Sequence, residues 1–238
     1  MLFDSGKESL HILHRRHPEG DAFKGLGVLW DTKLKMEAEV HDVATRANWK
    51  LSTLLRARRF FDTKALVCLY KAQVLPTLEF PTPAVYHCTG TTLDELDKVQ
   101  KRFLRAVGLT AEEALLQYNL APLQTRRDLA LLGLIHRTVL GLGPVSFQKW
   151  FFFETKPGHN YGTRLQEAKH DKQLHDYLDG SHSELLRRSA LGLTHAYNSL
   201  EEEAVNCTSV SAFQKTLQKT LKMIQSYLKE AIHSKVFI

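Results

Sequence analysis

Apolar residues recur every three or four positions along most of this chain, a spacing that predicts amphipathic helices. The spacing begins near Glu37 and predicts a first helix over 37–60. Asp62 is a typical N-cap residue for a second helix over 63–79, and Pro76 is expected to kink that helix.

A third helix is predicted over 92–107. Thr92 and Glu95 have the spacing of a capping box at its start, and Gly108 is the residue type that commonly ends a helix. The three apolar stripes predict a compact bundle, because each stripe has to be buried against another element.

The rest of the chain is also predicted to be helical. Ser211 is the expected cap of the last helix, whose apolar residues keep a helical spacing. The stretch from Thr155 to His182 is polar and rich in histidine, and we expect it to be the loosest part. The helices expected after residue 110 cover residues 111–118, 124–141, 183–203 and 209–234.

The first 36 residues have a different pattern. A short apolar run ends at Leu13, a polar turn follows, and the stretch "FKGLGVLWD" from Phe23 to Asp31 is typical of a second strand. The two runs predict a β-hairpin across the turn. A lone hairpin is marginally stable, so we expect its amides to be the least protected of the ordered elements.

Together these patterns predict a mainly α-helical fold in three parts. Residues 1–36 are expected to form a β-hairpin and residues 37–109 a three-helix bundle. Residues 110–238 are expected to form a helical C-terminal extension with a loose stretch near 155–182.

Composition narrows the class of protein only slightly. The chain has 238 residues, with 32 Lys and Arg against 26 Asp and Glu, and this basic surplus is compatible with a polyanionic partner. The cysteines Cys68, Cys88 and Cys207 are far apart, which favours reduced thiols in a cytosolic or nuclear protein over disulfides or structural zinc. We expect no signal peptide and no membrane-spanning stretch, and the localisation is otherwise open.

Candidate metal and catalytic groups are few. His11, His14 and His17 form a close cluster, but they fall in a segment of strand and turn character. We find no nucleotide-binding loop, zinc-protease motif or nucleophile elbow, and no two Asp residues are adjacent. The acidic runs Glu112–Glu113 and Glu201–Glu203 fit solvated helix surfaces. The sequence therefore predicts no cofactor and no metal.

The strongest chemical signal is basic. "LRARRFF" places three arginines beside two aromatic residues, and "DKVQKRFLRAV" places four cations on a predicted helix at spacings of three to four. Phosphate neutralisation needs such a fixed row of cations, although a solvated basic surface has the same pattern. The candidate nucleic-acid-binding residues are Arg56, Arg58, Arg59, Lys98, Lys101, Arg102 and Arg105.

Three consecutive stretches resemble a known family. "FKGLGVLWDTKLKMEAEVHDVATRANWKLSTLLRARRFF", "ALVCLYKAQVLPTLEFPTPAVYH" and "LDELDKVQKRFLRAV" resemble the end of the reverse transcriptase of non-LTR retrotransposons. In that family a strand closes the palm, and a basic helix, an "LYKALVRPILEY" helix and an "L…VQRR" helix form the thumb. The matching stretches stand here in the same order, at Phe23–Asp31, Leu55–Phe61, Leu69–Phe80 and Leu96–Arg105.

The resemblance implies a thumb that grips a template–primer duplex through its backbone. RNA/DNA duplex is therefore the expected partner, bound weakly and without regard to sequence. Another reverse-transcriptase chain is a second candidate partner, and the oligomeric state stays open.

The resemblance also bears on catalysis. The family's catalytic carboxylates, in a YxDD motif, would precede the residue that matches Met1. We therefore expect this chain alone to be a truncated, non-catalytic segment of an RNA-directed DNA polymerase, with its hairpin as a remnant of the palm. The alternative function is a helical protein-interaction module whose basic faces are only solvated.

Overall fold

Short antiparallel strands precede the helices in a computed structural model of the chain. The structure describes residues 22–153, 169–178 and 183–235 and the backbone of 11–12 and 15–16, with side chains described up to residue 223. β1 (His11–Ile12) pairs with β2 (Arg15–Arg16), and β3 (Ala22–Gly25) pairs with β4 (Val28–Asp31).

An N-terminal hairpin is present, but its predicted strand pairing is wrong. The stretch "FKGLGVLWD" is not one strand, because β3 and β4 lie within it and pair with each other, with Phe23 opposite Trp30. Leu26 and Gly27 form the connecting turn with φ of 52° and 81°, as a two-residue type I′ turn requires. Leucine is rare at such a position, so Gly27 is the only typical residue of the two in this turn.

Strand β4 is attached to the helices by packing and by a buried carboxylate. Val28 is buried in the main hydrophobic core, which is how the hairpin gains the partner surface that an isolated hairpin lacks. The Leu29 amide donates a hydrogen bond to the carboxylate of Glu39, at 2.7 Å, and Glu39 itself is buried in the first helix.

The rest of the described chain is mainly helical, as predicted. Two turns of 3₁₀-helix occur in the described residues, at Arg58–Phe60 and at Ala190–Leu193. The α-helices are α1 (Glu37–Arg56), α2 (Thr63–Gln73), α3 (Leu75–Glu79), α4 (Thr82–Val85), α5 (Gly90–Val107), α6 (Ala111–Tyr118), α7 (Leu123–Val139), α8 (Val145–Gln148), α9 (Glu184–Arg187), α10 (Thr194–Asn198), α11 (Glu202–Val205) and α12 (Val210–Lys235).

Helix caps agree with the predictions at some ends only. Asp62 caps α2 by accepting from the Ala65 amide at 2.7 Å, and Gly108 ends α5 in the left-handed conformation. The predicted capping box of Thr92 and Glu95 is wrong, because α5 starts earlier and its cap is Thr89.

Two further helix predictions are wrong in detail. The cap of α12 is Ser209 rather than Ser211, since its hydroxyl accepts from the Ala212 amide at 3.2 Å. The single helix expected over 183–203 is broken into short pieces. A Cβ at Gly192 would lie 2.1 Å from a backbone carbonyl oxygen, so the chain turns there too tightly for a continuous helix.

Two hydrophobic cores share helix α7. The first core is formed by α1 to α5 with residues that follow them, as far as Leu123 at the start of α7. The second begins at Leu129 and contains residues of α7, α10, α11 and α12. The middle of α7 therefore joins the bundle to the C-terminal helices.

Several further predictions concern cysteines, metal sites and membrane-spanning segments. Cys68, Cys88 and Cys207 are free thiols. No cluster of His, Cys, Asp and Glu that could hold a metal occurs within the described residues, and His14 and His17 lie outside them, as does most of 155–182. No helix in the described part of the chain has the length and apolarity needed to cross a bilayer.

The second core contains a buried histidine with two hydrogen-bond partners. The His136 ring stacks on Phe213 with centroids 4.2 Å apart. Its Nε2 donates to the Cys207 carbonyl at 2.8 Å, because a carbonyl can only accept, and its Nδ1 accepts from the Tyr197 hydroxyl at 3.0 Å. Burial lowers the pKa of His136, and nearby Lys172 acts in the same direction.

Asp31 is expected to decide how firmly the hairpin is held. Its carboxylate accepts hydrogen bonds from the backbone amides of Lys33, Lys35 and Met36. Asp31→Ala should lower the free energy of unfolding by about 2 kcal/mol and speed amide hydrogen exchange in β4. Asp31→Asn should have a smaller effect, because one oxygen still accepts. Hairpin amides as protected as those of α5 in both variants would contradict this role.

His136 is expected to make stability depend on pH. Its pKa is lowered in the folded state, so the unfolded chain takes up this proton at a higher pH than the folded chain. Stability should fall as the pH drops below about 6.5, by at most about 1.4 kcal/mol per pH unit. Denaturant unfolding between pH 7.5 and 5.5 should show a flatter dependence in His136→Gln. Equal slopes for both proteins would exclude this contribution.

Candidate nucleic-acid interface

Helices α1 and α5 lie side by side and run in the same direction. Near their starts, His41 Nδ1 is 3.4 Å from Glu95 Oε2. Further along both helices, Arg102 contacts Asn48 and Ser52. Residue numbers therefore increase in the same direction along both helices, and the two C-termini lie at the same end of the pair.

The packing of this pair follows from the apolar stripes that the sequence predicts. Both stripes are buried and belong to one core, so the polar positions beside them line the seam between the helices. The buried residues of the two stripes are Val40, Val43, Ala47, Leu51 and Leu54 on α1 and Leu93, Leu96, Val99 and Phe103 on α5.

Arg102 crosses this seam and is held by neutral groups. Its two terminal nitrogens donate to Asn48 Oδ1 at 3.0 Å and to Ser52 Oγ at 3.2 Å. No salt bridge to Arg102 occurs within the described residues. The guanidinium is exposed, so it keeps its full charge and a defined position.

An open surface depression lies between the two helices around this guanidinium. Arg105 lies one turn further along α5, and its Nε donates to the Lys101 carbonyl at 3.4 Å. The depression is lined by Asn48, Lys98, Arg102, Arg105 and Ala106. Three of these five side chains are cationic, so the depression suits an anionic group.

The second predicted cluster lies at the same end of the pair. Arg56 is in the last turn of α1 and Arg105 is in the last turn of α5. Arg58 and Arg59 follow in the 3₁₀ turn, and Arg59 packs over the exposed ring of Phe60 at 4.7 Å. Cations at helix C-termini are favoured by the helix dipole, so these arginines also stabilise the helices they end.

The two lysines of the predicted row differ from the arginines. Asp94 contacts Lys101 Nζ at 2.8 Å and Lys98 Nζ at 3.3 Å. Hydrogen bonds from Lys101 and Lys98 lower the pKa of the Asp94 carboxyl, and the pKa of Lys101 is raised in return. The carboxylate partly neutralises both lysines.

The structure therefore divides the seven predicted residues. Lys98, Arg102 and Arg105 line the depression, and Lys101 is paired with Asp94. Arg56, Arg58 and Arg59 lie at the C-terminal end of α1. Sequence reasoning did not identify Asn48, Ser52 or Asp94. Asp94 has a recognisable signal in its i, i+4 spacing to Lys98, whereas the two partners of Arg102 lie 54 and 50 residues away.

No protein family, no curated protein and no solved structure matches this chain. The function of this interface is therefore inferred from its own residues and from the sequence resemblance described above.

Asp94 is expected to weaken anion binding at this face. Asp94→Asn should free Lys98 and Lys101, raise the affinity for duplex and steepen the salt dependence, by about 0.9 in slope for each added phosphate contact. The matched control is Asp171→Asn, which makes the same change in net charge at an exposed residue of the C-terminal part. An equal gain from both variants would mean that net charge alone controls binding.

Proposed function

We propose that this chain binds nucleic-acid duplex through phosphate contacts at the seam between α1 and α5. The observation that carries the proposal is the exposed Arg102 guanidinium, held by Asn48 and Ser52 without a carboxylate partner in the described residues. A cation fixed in this way loses little conformational entropy when it binds a phosphate.

The expected binding does not depend on base sequence. The interface consists of cations along two helices, and phosphate contacts position a duplex without reading its bases. Lys98, Arg102 and Arg105 around one depression suit neighbouring phosphates along a strand. Affinity should lie in the non-specific range, with dissociation constants of roughly 10⁻⁴ to 10⁻⁶ M at physiological salt.

The sequence resemblance suggests which kind of protein would use this binding. The chain would act as the thumb of a reverse transcriptase of the non-LTR retrotransposon type, with β3 and β4 as the edge of the palm. The order of a hairpin, a basic helix, a helix pair broken near Pro76 and a second basic helix supports this proposal. We expect the isolated chain not to extend a primer, because its sequence has no two adjacent Asp residues of the kind that hold the two metal ions in this family.

A second candidate function is a helical protein-interaction module. It is favoured by the ion pairs of Asp94 with Lys98 and Lys101, and by the helix-end positions of Arg56 and Arg105. These contacts give four of the seven cations a structural role. The salt dependence of binding separates the two functions, since phosphate binding weakens steeply as salt rises.

Charge reversal at the depression tests the proposal. The double variant Arg102→Glu and Arg105→Glu should lower the affinity for duplexes of any sequence and make the salt slope shallower by about 1.8, for two lost phosphate contacts. Fluorescence anisotropy with labelled RNA/DNA and DNA duplexes over a salt series measures both quantities.

The control is Arg187→Glu with Arg188→Glu, which makes the same charge change in the C-terminal part. This pair should have a much smaller effect on both affinity and slope. If it weakened binding as much as the Arg102 and Arg105 pair, or if wild-type binding did not respond to salt, the interaction-module function would be favoured instead.

A further inference from the structure

Trp49 has the largest exposed fraction of the aromatic side chains that the structure describes, at 75%. It lies in the middle of α1 and is not a member of either hydrophobic core. Exposed single apolar residues are common, so the position of Trp49 relative to the cations decides whether it has a role.

Trp49 lies on α1 next to Asn48, which lines the cationic depression. It follows Asn48 directly and is three residues before Ser52, and these two residues hold the Arg102 guanidinium. Residues three apart on a helix have Cβ atoms about 5–6 Å apart. Arg56 lies seven residues further on the same face of the helix. By this spacing Trp49 shares a face of α1 with Arg56 and neighbours the two residues that hold the Arg102 guanidinium.

We infer that this interface takes nucleic acid with an unpaired strand, and that Trp49 stacks on one of its bases. An aromatic ring beside cations that follow the backbone is the arrangement by which proteins bind single strands, since every base offers a flat face. In a continuous duplex these faces are covered by neighbouring base pairs, and an exposed indole would find no partner there. The inference rests on the proposed function, because the same cations hold the phosphates.

The surroundings of Trp49 favour a nucleic acid over an acidic protein. Its neighbours on this face of α1 are polar and exposed, namely Thr45, Arg46, Lys50 and Thr53. Protein interfaces centre on a contiguous buried apolar patch around their anchor residues. Trp49 has no such patch among these neighbours, whereas a stacked base needs only the ring face and a nearby cation for its phosphate.

The test compares two ligands and three variants. Wild-type chain, Trp49→Ala, Trp49→Phe and Trp150→Ala are titrated with labelled oligothymidylate and with a blunt DNA duplex of the same length. Trp150 is the matched control, because it is the other exposed tryptophan, at 53%, and lies in the C-terminal part. Thermal unfolding of each variant checks that the fold is kept.

Trp49→Ala should lower the affinity for oligothymidylate by ~5- to ~150-fold, as for the loss of one stacked base, and leave blunt-duplex binding unchanged. Trp49→Phe should restore most of the loss, since phenylalanine keeps a ring face. Trp150→Ala should change neither affinity. Oligothymidylate should also quench the tryptophan fluorescence of the wild type more than that of Trp49→Ala.

Three results of the titrations with oligothymidylate and duplex would overturn the inference. They are an equal effect of Trp49→Ala on both ligands, no effect on either, or an equal loss in Trp150→Ala. Binding of polyglutamate through Trp49 without binding of oligothymidylate would show an acidic protein partner and overturn it as well. Duplex binding that still responds to Arg102 and Arg105 reversal would leave the proposed function standing, whereas loss of salt-dependent binding to every nucleic acid would remove both.

Discussion

The parallel packing of α1 on α5 is the contact on which the rest of the bundle depends. Parallel neighbours cannot be joined by a short turn, so the chain between them has to return along the bundle, which α2, α3 and α4 do. The same packing places two negative helix C-termini side by side, an arrangement that is unfavourable without cations. Arg56 and Arg105 occupy these last turns. The geometry that stabilises the bundle is therefore the geometry that gathers positive charge at one end.

An ion pair with a buried guanidinium helps to fix the C-terminal helices to this pair. Arg127 on α7 is 2% exposed and bonds Asp97 on α5 at 2.9 Å. A buried guanidinium is costly unless it is paired, so Asp97 stabilises the packing of α7 against α5. Asp97 directly precedes Lys98, which lines the depression. Helix α7, which also contributes to the second core, therefore contacts α5 next to the depression.

The sequence predicts best what depends on residues close together in the chain. The C-terminal end of α5 follows from Gly108, and its row of cations follows from their spacing. The prediction of one helix over 183–203 is wrong, because the spacing of apolar residues carries no information about the close backbone approach at Gly192. The hairpin turn escapes prediction because Leu26 adopts a conformation that its residue type rarely adopts. The hydrogen-bond partners of Arg102 cannot be predicted from residue spacing, because they belong to another helix.

The cations of this face differ less in charge than in how that charge is compensated. Lys98 and Lys101 share one carboxylate, so a phosphate that binds them has to compete with Asp94 for the same donors. Arg102 gives two of its five N–H groups to neutral acceptors, and the hydrogen bonds orient the guanidinium without reducing its charge. The remaining N–H groups keep the planar geometry that matches a phosphate. A count of basic residues would rank these side chains equally, whereas their partners distinguish Arg102, which is oriented by neutral groups, from the two lysines that share Asp94.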